Sequence, residues 1–91
     1  MATKEPPHAT TLRYELRQAE EELPALHKEV EIYGTLAATQ TQEMLRIPSR
    51  VTVGNLNTTK RAFDNAYKAF LGGLERCEVL RKRIREAEEG D

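Results

Sequence analysis

The hydrophobic positions in the first half of the chain fall on one stripe. Leu12, Leu16, Ala19, Leu23, Leu26, Val30, Tyr33, Ala37, Gln40, Met44 and Ile47 follow one another at steps of four and three without a break. A mean step near 3.5 residues keeps a narrow apolar seam turned toward one partner helix, which is the coiled-coil pattern. A second stripe of the same kind runs through Leu56, Thr59, Phe63, Ala66, Phe70, Gly73, Cys77, Leu80, Ile84 and Ala87. The pattern predicts one helix over about 10–46, opened by a Thr10 or Thr11 cap, and another over about 58–89, with Gly90 placed to end it.

The segments between and before the stripes lack this order. Residues 1–8 are polar and hold Pro6 and Pro7, which predicts a disordered tail ahead of a single helical domain over 9–91. The stretch "IPSRVTVGNLNTTK" gathers Pro48, Gly54 and three consecutive β-branched residues, all poor helix formers, so a loop is expected over about 47–57. A small hairpin in "RVTVGNLN", turning at Gly54-Asn55, is the alternative. Pro24 lies inside the first stripe, where it removes one ladder bond; because the stripe passes through it without a phase slip, one helix kinked near Pro24 is preferred over two helices.

Two long helices joined by a short loop most simply form an all-α antiparallel coiled-coil hairpin. A turn near residues 52–53 makes facing residue numbers add to about 105 and sets Tyr33 opposite Gly72, with Gly73 adjacent. Two glycines in a helix interior cost roughly 2 kcal/mol relative to alanine. Close helix packing against the Tyr33 ring would offset that cost. Off the stripes, Ile32 and Leu36 on the first helix and Tyr67, Leu71 and Leu74 on the second form an expected apolar docking patch. Such a patch calls for a second copy of the chain or another helical protein, giving a homodimer or a hetero-oligomeric helical bundle.

Composition narrows the function further. Charged residues make up 32% of the chain and aromatic residues 5%, a balance that suits long helices with wide solvated faces. The net charge of −1 supplies no general field for nucleic acid, and neither helix has the basic polar face of a membrane-surface binder. No run of 18 apolar residues occurs and the first residues show no targeting pattern. The lone Cys77 fits a reducing compartment, the cytoplasm first and the nucleus second. No nucleic acid, membrane or small-molecule substrate is expected as a partner.

Catalytic chemistry finds little to work with. His8 falls in the expected tail, and His27 with Glu31 offers only two ligands where a metal needs at least three. Cys77 sits at an inward stripe position, where cysteine acts as a small core residue. Gly72-Gly73 lacks the preceding strand of a phosphate loop, and the basic run "RKRIRE" is balanced by Glu78, Glu86, Glu88 and Glu89. No catalytic, metal-binding or cofactor-binding residues are assigned, and the chain is not expected to be an enzyme.

The expected function is a protein–protein interaction module, an assembly or adaptor subunit working by helix–helix packing. Helix, "RVTVGNLN" hairpin and helix resembles the plan of prefoldin subunits, a likeness of plan with no residue carried over. That resemblance implies a chaperone that assembles through its hairpins and grasps unfolded clients at its helix tips. A small helical inhibitor or regulator of another protein is a third reading.

Overall fold

The computed structural model describes residues 7–89. Within them the chain is all-α, with helix α1 over Pro7–Arg46 and helix α2 over Arg50–Glu89, each of 40 residues. Of the expected tail, residues 1–6 lie outside the described residues, whereas Pro7 and His8 already belong to α1. Pro24 lies inside α1, which continues through it as one helix.

The connection is much shorter than the 47–57 loop expected. Pro48 disfavours helical geometry at Ile47 and so stops α1 at Arg46. Ser49 then starts α2 at once. Its hydroxyl accepts the Thr52 N–H at 3.1 Å, and its own N–H donates to Thr52 Oγ1 at 3.0 Å. This reciprocal pair is a capping box with threonine in the position usually held by glutamate or glutamine. The Ser49 carbonyl takes the Val53 N–H at 3.0 Å, the first bond of the new ladder. Residues 50–57 are therefore helical rather than loop or β-hairpin, and no strand occurs among the described residues. The propensity penalty of Val51, Thr52 and Val53 is at most about 0.7 kcal/mol each, which the cap and the burial of Leu56 and Thr59 overcome.

Contacts divide the chain into two units, a terminal unit of Met1–Pro24 with Leu71–Asp91 and a turn unit of Ala25–Phe70. The cuts fall at Pro24 in α1 and just before the paired glycines Gly72-Gly73 in α2, both poorly suited to a helix interior.

In the terminal unit the two helices run antiparallel, with Arg13 paired to Glu88 and Glu20 to Arg81. Its core is Ala19, Cys77 and Leu80, with Leu12, Leu16 and Leu23 packed against it. Facing residue numbers here add to 101 (13 with 88, 20 with 81).

In the turn unit the helices are again antiparallel. The His27 ring meets the Phe70 ring at 5.3 Å, and Gly34 lies against Phe63. Facing numbers add to 97 (27 with 70, 34 with 63), eight short of the expected 105, because the turn lies at 47–49 and not near 52–53. Every member of both stripes is buried or half-buried except Ile47, which lies just past the end of α1 and is exposed.

Candidate interaction surface

Ile32 and Leu36 stand one helical turn apart on α1 and are 52% and 41% exposed. With Glu31, Thr35 and Thr39 they line a shallow depression in the turn unit. Tyr67, 45% exposed, belongs to the same unit, and its ring stacks on Phe63 with centroids 6.1 Å apart. Leu71 and Leu74 belong to the terminal unit; Leu71 is 44% exposed, while Leu74 is half-buried, less open than its spacing suggests.

The face carrying Ile32 and Leu36 is opposite the inward stripe. At 100° per residue, Lys28, Ile32, Thr35, Leu36, Thr39 and Glu43 fall within about 100° of arc. Leu26, Val30, Tyr33, Gly34, Ala37, Thr41 and Met44, all half-buried, occupy the far side of the same helix. Residues 32–42 carry no charged side chain through three turns, in a chain of which 32% is charged. Thr39 turns its hydroxyl back to the Thr35 carbonyl at 3.2 Å, so its polar atom is engaged within the helix. Glu31, at the rim, is held by His27 Nδ1 at 2.9 Å.

The close approach expected at Gly72 is not found there. Gly72 is exposed, and a Cβ built on it would meet open space. Tyr33 is half-buried in the turn unit and Gly73 half-buried in the terminal unit. Within the turn unit a glycine does meet an aromatic ring, but the helices have exchanged roles. Gly34 is on α1, and its added Cβ would lie 3.3 Å from Phe63 Cε1 on α2. The shorter connection moves the register, and with it the residue that needs to be small.

Several exposed apolar side chains were not assigned to any surface from sequence. Leu45, at 71% exposed, Ile47, Val51 and Val53 cluster in sequence around the turn, and Tyr14 and Val79 lie in the terminal unit. Val51 and Val53 were hidden in the expected loop, and Ile47 was placed on the inward stripe.

The chemically interesting side chains are engaged in packing and pairing. His27 is held between Glu31 and the Phe70 ring. Cys77 is 1% exposed at the centre of the terminal core. In the basic run, Arg81 donates to Glu20 Oε2 at 2.8 Å across the helix pair, and that hydrogen bond holds its guanidinium above the ordinary value. Glu88, unfavourably placed for the helix dipole, is met by Arg13 of α1. On the inward stripe, Gln40 buries its carbonyl oxygen without a hydrogen-bond partner among the described residues. No group of three or more His, Cys, Asp and Glu side chains able to hold a metal occurs among the described residues. None of their helices is long and apolar enough to cross a membrane.

No protein-family model, curated protein or solved structure matches this chain.

Proposed function

We propose that this chain is a non-catalytic interaction module, an assembly or adaptor subunit that binds by packing helix on helix. The observation that carries this reading is the second apolar face of α1, Ile32 and Leu36 exposed within a charge-free stretch opposite the stripe already buried against α2. Apolar side chains of this size gain about 25 cal/mol for each Å² withdrawn from water, and neutral neighbours remove the desolvation cost that a charged face would impose. Tyr67 and Leu71 add exposed apolar area on α2, each within its own unit.

The test is a pair of substitutions, Leu36→Asp and Leu71→Asp, read by sedimentation and circular dichroism. Both positions are exposed, so helicity should change little. Association should fall by at least about tenfold for Leu36→Asp, since a carboxylate would be buried unpaired. Self-association of the wild type that is unchanged in both variants would refute the reading.

A further inference from the structure

The charge-free face of α1 is bracketed by charges of opposite sign. Lys28 stands at one end and Glu43 at the other, both exposed and neither in an ion pair among the described residues. The midpoint between positions 28 and 43 falls between Thr35 and Leu36. The same point lies midway between Ile32 and Thr39. This symmetry concerns the helix's own sequence, and it is what an isologous contact requires.

We propose that a second copy of this chain covers the face, α1 packed antiparallel on α1 about a twofold axis between Thr35 and Leu36. The assignment rests on the interaction reading above and names its partner. In that arrangement residue numbers facing across the axis add to 71. Ile32 meets Thr39 of the second copy, and Leu36 meets Thr35 of the second copy. Each large aliphatic side chain is thus set on a small one, as interdigitated helix packing needs. The Thr39 hydroxyl is already bonded to its own helix, so its methyl group is what the second copy meets. Lys28 meets Glu43 of the second copy twice, once on each side of the axis. A parallel pairing would instead bring Lys28 to Lys28 and Glu43 to Glu43, and like charges so placed repel. The apolar contact is short, so the dimer is expected to be reversible on dilution.

The experiment is sedimentation equilibrium of the full chain at about 1–100 µM, with helicity checked for each variant. Wild type should move from monomer to dimer across that range. Lys28→Glu alone and Glu43→Lys alone should each weaken the dimer by about tenfold, because each turns two attractive pairs repulsive. The double variant Lys28→Glu with Glu43→Lys should recover most of the loss, since the exchanged charges attract again. Leu36→Asp should leave a monomer. A wild type that stays monomeric overturns the second-copy assignment but leaves the broader reading standing, because a foreign helix can still take the face. A dimer indifferent to Leu36→Asp removes this face as the contact and overturns the second-copy assignment; indifference to Leu71→Asp as well takes the broader reading with it. Charge reversals that fail to rescue one another overturn the antiparallel register.

Discussion

The two units solve the same packing problem with different materials. The terminal unit carries eight Lys and Arg against eleven Asp and Glu, a net −3, and ties its helices with the ion pairs Arg13–Glu88 and Glu20–Arg81 around a core of Ala19, Cys77 and Leu80. The turn unit carries six against four, a net +2, and no ion pair joins its helices among the described residues. It relies on contacts of rings and a glycine, His27 with Phe70 and Phe63 with Gly34. Residues 32–42 and 51–59 within it carry no charge at all. Of the ten large hydrophobic residues left exposed, seven belong to the turn unit. The comparison teaches that charge is concentrated in the terminal unit, with 19 charged residues, while the turn unit, with ten, carries the larger share of the exposed apolar side chains.

That contrast can be broken first at its apolar positions. Leu80→Ala, at a buried site of the terminal core, should destabilise the chain by about 2–4 kcal/mol in urea titration. Leu36→Ala, at an exposed site of the turn unit, should cost less than about 1 kcal/mol when measured in dilute solution. Equal costs would mean that Leu36 belongs to a core and not to a docking face.

The glycines sharpen the contrast at intermediate size and with opposite signs. Gly34→Leu drives a large side chain against Phe63 and should destabilise by about 1–3 kcal/mol in the same titration. Gly72→Ala places a methyl group in open space and should stabilise by about 0.8–1 kcal/mol through helix propensity alone. A destabilising Gly72→Ala would revive the close approach expected there. The smallest effect should come from Glu20→Gln, since the pair it breaks is solvent-exposed. The shift in urea midpoint should shrink further at about 1 M salt, where surface charges are screened.

Much of the fold was legible because burial has a period. Twenty of the 21 stripe positions read from sequence are buried or half-buried, and the two long helices follow from that repeat. The connection is shorter than helix propensity at 51–54 implies because the Ser49–Thr52 cap starts α2 ahead of those weak helix formers, and that cap is visible only as reciprocal hydrogen bonds. An overlong loop displaced the facing register by two helical turns in the turn unit, so the glycine that meets a ring was sought at Gly72 when it is Gly34. The residues expected to form a docking patch differ in exposure for a related reason. Spacing places Ile32 and Leu36 off the inward stripe whatever the register, whereas the exposure of Leu74 depends on which neighbours α1 brings to it.

The central claim is that α1 has two working faces, one turned to α2 and one proposed to meet a second copy of this chain. The thermal midpoint as a function of protein concentration reads it most directly, because association that requires the folded chain stabilises that state by mass action. Between about 1 and 100 µM the midpoint of the wild type should climb by several degrees, while that of Leu36→Asp stays level. A wild-type midpoint that does not move with concentration would contradict the claim.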